Sequence, residues 1–231
     1  MKKLFTVLAV LLVATALFAG VTVKAGGTFG FTQFASPKDE NTEAFDEDIK
    51  MRAHGFGFEV GVQYDLSDNL AVYGEFNMVF PKDAEMKSGD EAWDKISAHL
   101  TADDKLKINF FSVSAGVAYK LDFNAVKLAV GGGLTLSHAM SDIDLKIAEN
   151  INMGYKTTYT NIGLNALVDA KYMVAEKVGV GVTLNPQLGL YNIAKLEAKT
   201  VPETPYNYDD KATGFKVSFA MPITVGVSYT F

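Results

Sequence analysis

A seven-residue phrase recurs four times and sets the architecture of this chain. It reads Val60-Gly61-Val62-Gln63-Tyr64-Asp65-Leu66, then Ala115-Gly116-Val117-Ala118-Tyr119-Lys120-Leu121. It returns as Val168-Asp169-Ala170-Lys171-Tyr172-Met173-Val174 and as Val225-Gly226-Val227-Ser228-Tyr229-Thr230-Phe231. The tyrosines stand 55, 53 and 57 residues apart. Each copy alternates apolar with small or polar residues, as a strand with two unlike faces does. Four strands that end alike on one rim imply four partners running the other way. The pattern therefore predicts an all-β fold, an eight-stranded antiparallel up-and-down barrel.

Residues 1–20 stand apart from that pattern. Lys2 and Lys3 precede an apolar run from Leu4 to Phe18, followed by the small residues Ala19 and Gly20. The run is shorter than the roughly 20 residues a spanning helix needs. It reads as a secretory signal peptide, which leaves 21–231 as one domain. With no cysteine in the chain, neither a disulfide framework nor a cysteine metal site is available.

The alternation predicts strands near Val21–Phe34, Phe56–Tyr64, Leu70–Phe80, Phe111–Tyr119, Val126–Leu136, Ile162–Tyr172, Val178–Leu188 and Phe215–Phe231. Parity breaks at Phe110–Phe111, because Leu106, Ile108 and Phe110 fall on the other register; a bulge or the strand's outer limit is expected there. Pro186 and Pro222 each remove a donor from a closed sheet, and a local bulge or an extension past the membrane is expected. The connections Leu66–Asn69, Leu121–Asn124 and Met173–Glu176 are tight. The intervals 35–53, 81–105, 139–156 and 194–211 are long. Short turns on one rim and long loops on the other match the layout of bacterial outer-membrane barrels.

A soluble barrel with an oily interior also alternates. Two features favour the lipid-facing version. The polar face is rich in Gly, Ser, Thr and Asn, with few charges, whereas a solvated face would carry many more. The apolar face is aliphatic in its middle and aromatic at its ends: Tyr64, Tyr119, Tyr172 and Tyr229 mark one rim, with Phe31, Phe80 and Phe215 near the other, as membrane interfaces favour. Closure then follows, since an open sheet edge in lipid strands backbone groups. The lumen would hold Lys24, Glu59, Gln63, Glu75, Asn77, Asn161, Asn165, Asp169, Asn185, Gln187 and Lys216. These form either a self-satisfied plug, which eight strands favour, or a narrow polar pore. Closure of the last strand on the first would bring Lys24 and Lys216 near Glu59.

Without Lys2 and Lys3 the chain has 19 basic and 27 acidic residues. The four long intervals hold 12 and 20 of these, and the remainder is balanced. An acidic surface argues against nucleic acid as a partner. The acidic clusters Asp46-Glu47-Asp48, Asp103-Asp104 and Asp209-Asp210 match no calcium-loop spacing and read as solvated charge. Ser137, His138, Ser141 and Asp142 crowd one strand end, whereas triad partners converge from separate positions; no catalytic set and no cofactor or metal site is expected. Trp93, Ile96 and Leu100 show weak helical spacing, and Ile143, Leu145 and Ile147 alternate. Both groups suggest an element above the membrane, the lining of an apolar entrance, or loops packed on each other.

These features together resemble the small outer-membrane barrels of double-membraned bacteria, the class of the OmpA transmembrane domain, OmpX and OmpW. The final strand, Ile223 to Phe231, is similar to the signal read by the barrel assembly machinery. The resemblance implies that Val225, Val227, Tyr229 and Phe231 serve that recognition. It implies as partners the outer-membrane bilayer, the assembly machinery and periplasmic chaperones, and a monomeric state. A structural or adhesive role, with an extracellular ligand or host surface met by the acidic loops, is expected. A narrow pore for small solutes or hydrophobic molecules, as in OmpW-like members, is the alternative.

Overall fold

The computed structural model describes residues 20–38, 49–89, 91–148, 151–201 and 208–231. The expected export segment, apart from Gly20, and the cluster Asp46-Glu47-Asp48 lie outside the described residues. Among the described residues ten strands follow in order: β1 Val21–Ala35, β2 Ile49–Asp65, β3 Leu70–Ser88, β4 Asp94–Lys95, β5 Lys105–Phe123, β6 Val126–Ala148, β7 Ile151–Met173, β8 Val178–Leu184, β9 Gln187–Val201 and β10 Tyr208–Thr230. Every pairing is antiparallel, and β1 pairs with β10, so the sheet closes. β8 and β9 occupy one wall position and β4 only decorates β3, which gives an eight-position up-and-down ring. The tight turns fall on one rim. Asn124 carries the turn between β5 and β6 with φ of 64°, a left-handed conformation that Asn tolerates.

β6, β7 and β10 are each 23 residues long. A tilted strand crosses the hydrocarbon in roughly 9–11 residues. About half of each strand therefore rises beyond the membrane, and most of the interval 139–156 is hairpin rather than loop.

The two walls exchange polarity where the strands leave the lipid. Within the membrane Val113, Val117, Leu134, Leu164 and Val225 are exposed outward, while Ser112, Ser114, Thr135, Asn165 and Thr224 are buried inside. Above it, the inward positions become apolar. Phe34, Met51, Val79, Ile108, Phe110, Ala139 and Tyr159 form one buried cluster, with Leu106, Ile143 and Leu196 packed against it. Each large apolar side chain so buried contributes about 1.5–3 kcal/mol. Gly30 makes room for this core: a Cβ there would stand 2.6 Å from a Val79 methyl.

This exchange corrects the break expected at Phe110–Phe111. β5 pairs with β6 in one unbroken register from Lys105↔Asp144 to Phe123↔Val126. Leu106, Ile108 and Phe110 keep the inward face throughout; what changes is the solvent beyond the wall.

The prolines also differ from expectation. The register against β7 runs on from Val168↔Leu184 to Asn165↔Gln187, so Pro186 interrupts the ladder without shifting it. The Ala166 amide donates to the Pro186 carbonyl at 2.9 Å, and the Asn185 amide to that of Pro222 at 3.2 Å. The two prolines thus sit side by side on neighbouring strands, and each omits the return donor. The irregularities lie further out, between Ile162 and Gly163 against β9 and between Phe215 and Ser218 on β10.

Above the membrane the cylinder opens along two lines. β1–β10 pairing ends at Gln33↔Phe219, and β3–β5 pairing ends at Val79↔Phe110. Pro81, two residues on, has no N–H to offer β5 and precedes a register shift against β2. The segment 91–104 fills that second opening. It holds one 3-10 turn, Ile96–His99, with Ile96 buried. Asp83 accepts from the Ser97 amide at 3.2 Å and its hydroxyl at 2.5 Å. Asp104 accepts from the amides of Thr101 at 2.7 Å and Lys146 at 2.8 Å.

Candidate functional site

The lumen is layered. At the short-turn mouth, Gln63 donates to Asp65 at 3.1 Å and Lys120 pairs with Asp65 at 2.7 Å. A vestibule of about 110 Å³ opens there, lined in part by Thr22, Lys127 and Lys171.

A charged layer closes the vestibule. Lys24 lies 3.1 Å from Glu59 and also contacts Glu75 and, at 3.1 Å, Thr183. Thr183 donates to Asp169 at 3.0 Å, and Lys171 pairs with Asp169 at 2.9 Å. Glu59, Glu75 and Asp169 are all buried. Buried carboxylates persist only when paired and hydrogen-bonded, and both conditions are met. Asn77 donates to Glu59 at 2.9 Å and Thr224 donates to it at 2.7 Å, while Asn185 donates to Glu75.

An amide and hydroxyl layer follows. Asn165 spans the Tyr73 hydroxyl at 2.8 Å and the Asn185 side-chain oxygen Oδ1 at 3.1 Å. Gln187 donates to Ser112 and accepts from Ser137, both at 2.9 Å. Asn161 is buried beside Gly189. The apolar cluster of Phe34, Phe110 and Tyr159 stands above. Between these layers one small cavity of about 20 Å³ lies beside Lys24 and another of about 10 Å³ beside Phe34 and Gln187; one water needs about 10–15 Å³.

Lys216 does not join the charged layer. It lies in the irregular stretch of β10, where its carbonyl accepts from Asn192 at 2.9 Å. Glu59 and Gly226 are both paired with Gly26, so Lys216 stands ten residues up β10 from the level of Glu59, about 33 Å along a strand. The expected meeting of Lys216 with Glu59 does not occur; the closure of β10 on β1 was rightly expected, but height along the strand was not weighed. Sequence reasoning also missed Tyr73, Thr183 and Asn192 as lumen partners. Tyr73 shares the strand parity of Glu75 and Asn77, and Thr183 that of Asn185 and Gln187; only strand height could have matched them to Asn165 and Lys24.

Tyr64, Tyr119, Tyr172 and Tyr229 all project outward and are between 41% and 55% exposed. Asn69 donates to the Tyr119 hydroxyl at 3.0 Å. At the other rim Phe29 meets Phe56, Phe76 meets Phe111, and Tyr191 meets Phe215. Val225, Val227, Tyr229 and Phe231 face outward along β10, the closing strand, and the Phe231 amide donates to Val21 at 2.9 Å. Ser137 is buried on the lumen face, while His138 reaches across the outer face to Thr160 at 2.9 Å, so the two do not meet.

On the outer wall of β5, β6, β7 and β9, charges alternate across the strands as Lys107, Asp142, Lys156 and Glu197. A concavity of about 670 Å³ lies on this wall beside Lys105, Asp144 and Lys199.

The family model for the outer membrane protein beta-barrel domain matches residues 5–231. Among solved structures, the outer membrane protein OprG from Pseudomonas aeruginosa is similar with a TM-score of 0.57 at 13% identity, covering 92% of this chain and 96% of that one. A major outer membrane protein from Thermus thermophilus gives 0.54 at 13% identity, covering 90% and 99%. Neisserial surface protein A gives 0.50 at 17% identity, covering 92% and 98%. A search of curated proteins finds no match.

Proposed function

The chain belongs to the outer membrane protein beta-barrel domain family and resides in the bacterial outer membrane, and on that footing we propose that it works as a closed barrel whose task lies at the cell surface. The single observation that supports this is the filled lumen. Paired charges, then amides and hydroxyls, then an apolar core occupy it in succession. A conducting path would have to cross both the buried ion pairs and an oily layer that excludes ions. The extended strands instead carry the acidic segments well clear of the membrane, where a ligand or host surface meets them. The role is structural or adhesive rather than enzymatic.

Under this reading Val225, Val227, Tyr229 and Phe231 present the outward signal for assembly on the last strand. The four tyrosines anchor the inner rim at the interface. The test is conductance of purified protein in planar bilayers. Closed barrels give no stable channel steps. Steady open-channel steps, abolished by a bulky substitution at Asn165 or Gly181, would overturn the reading in favour of a narrow pore. Deletion of 89–104 tests the surface role: if binding to host cells survives loss of each long segment in turn, adhesion loses its support.

A further inference from the structure

The outer walls above the lipid differ in how they treat positive charge. On the β5–β9 wall the alternating row neutralises itself. Lys195 and Lys211 do stand directly opposite each other there, yet Lys195 is bridged by Glu197 at 2.8 Å and Asp209 at 3.0 Å. The β2–β3 wall holds a second such pair, Lys50 opposite Lys87. Like charges directly opposite are destabilising, and among the described residues neither lysine has an ion-pair partner. Among the described residues, Glu85 on that face is taken by Arg52. Lys95 lies opposite Glu85 on the same face, and Lys82 is exposed at the adjoining register shift.

This cationic face sits directly over the lipid. Arg52 is four residues above Phe56 on the same side of β2, and Phe56 is 75% exposed, with Phe80 on β3 at 45%. Four residues of tilted strand rise about 10 Å, and lysine and arginine stems can reach back down toward an interface. Trp93 braces the group: its ring lies 4.3 Å from the Arg52 guanidinium and 5.8 Å from the Lys87 ammonium.

We propose that Lys50, Arg52 and Lys87 form a docking site for the phosphate of an acylated lipid in the outer leaflet, whose chains lie along Phe56 and Phe80. A phosphate relieves the lysine–lysine repulsion and gives the guanidinium a second acceptor beside Glu85. The aromatic strip below supplies the apolar surface that a free anion would not use. The site rests on membrane residence, not on the closed lumen or on adhesion.

The chain's single tryptophan reports on the site. Purified protein in zwitterionic detergent is titrated with diphosphorylated lipid A, its dephosphorylated form and inorganic phosphate, following Trp93 emission. Diphosphorylated lipid A is expected to bind at least about tenfold more tightly than the other two. The double variant Lys50→Gln/Lys87→Gln is expected to lose about tenfold in affinity, and Lys50→Arg/Lys87→Arg to keep it. Lys107→Gln/Lys156→Gln on the opposite wall is expected to bind as the parent does, and thermal melts confirm that each variant is folded. Equal loss in both glutamine variants would reduce the effect to general charge attraction. Unchanged binding in Lys50→Gln/Lys87→Gln, with a lower melting temperature, would assign the lysines to the chain's own acidic 39–48 segment. Equal response to inorganic phosphate would make the site an anion site with no lipid. Each of the three overturns the proposal.

Discussion

Phe34 and Phe110 meet ring to ring inside the barrel, their centroids 5.8 Å apart, from strands that are not neighbours in the wall. The next residue, Phe111, points the opposite way and stacks on Phe76 in the lipid. Adjacent phenylalanines thus serve two different cores. One packs an oily interior above the membrane; the other meets acyl chains.

Their loss should be unequal. Phe110→Ala removes a fully buried ring and is expected to cost about 3–5 kcal/mol. Phe111→Ala exchanges ring–lipid and ring–ring contact for lipid contact and is expected to cost about 1 kcal/mol. Urea unfolding in lipid vesicles, followed by tryptophan emission, measures both. Equal losses would contradict the exchange of polarity between the two walls.

Lys24 holds two carboxylates, Glu59 and Glu75, in one layer. Lys24→Met leaves Glu59 and Glu75 buried without their cation and is expected to destabilise by about 3–5 kcal/mol. The triple change Lys24→Met, Glu59→Gln, Glu75→Gln should recover much of that, because no unpaired charge remains. Thermal melts of the two variants decide it; a triple variant no better than the single would show that packing, not charge, dominates the layer.

The clasp at Asp104 predicts acid sensitivity confined to the cell-surface end. Backbone amides of Lys146 and Thr101, with the Thr101 hydroxyl, hold its carboxyl below the usual carboxylate range. A depressed folded value means that the clasp is fully stabilising above the ordinary carboxylate range and is lost as pH falls through the depressed value. Hydrogen exchange at the Lys146 and Thr101 amides should therefore lose protection only in strong acid. In Asp104→Asn these amides should be weakly protected at every pH. The same protection in both proteins would remove the clasp's role.

Pro186 and Pro222 leave two neighbouring carbonyls without a wall donor. Replacing each with Ala restores one hydrogen bond of about 1 kcal/mol and gives back about 0.5 kcal/mol of unfolded-chain freedom. The bond wins, by a margin that grows in lipid, where no water substitutes. The double variant Pro186→Ala/Pro222→Ala should melt higher and show slower exchange at the Asn185 and Ala166 amides. A lower melting temperature would mean that the prolines fit strain that alanine cannot hold.

Much of the wall was legible because side-chain direction in a strand alternates with a period that needs no tertiary information. The phrase ending in Tyr64, Tyr119, Tyr172 and Tyr229 located four strands and one rim. Periodicity records that two faces differ, but not which medium each one meets. At Phe110 the medium changed while the direction did not, and the sequence pattern read that as a shifted register. Lys216 shows the second limit: facing the lumen says nothing about height, and ion pairs such as Lys24–Glu59 depend on height. Tyr73 shows the third, since an aromatic residue on a polar face looks anomalous until Asn165 stands opposite its hydroxyl.

Pro81 ends the β3–β5 ladder just above the lipid, so residues 91–104 hang from two carboxylates, the buried Ile96 and a two-residue bridge instead of from the wall. Lengthening such a span carries a small closure penalty that grows only logarithmically. The exposed Glu91 and Ala92, ahead of Trp93, are therefore free to accept inserted or exchanged sequence while the cylinder beneath keeps its threading, which makes them the natural graft point for a displayed peptide.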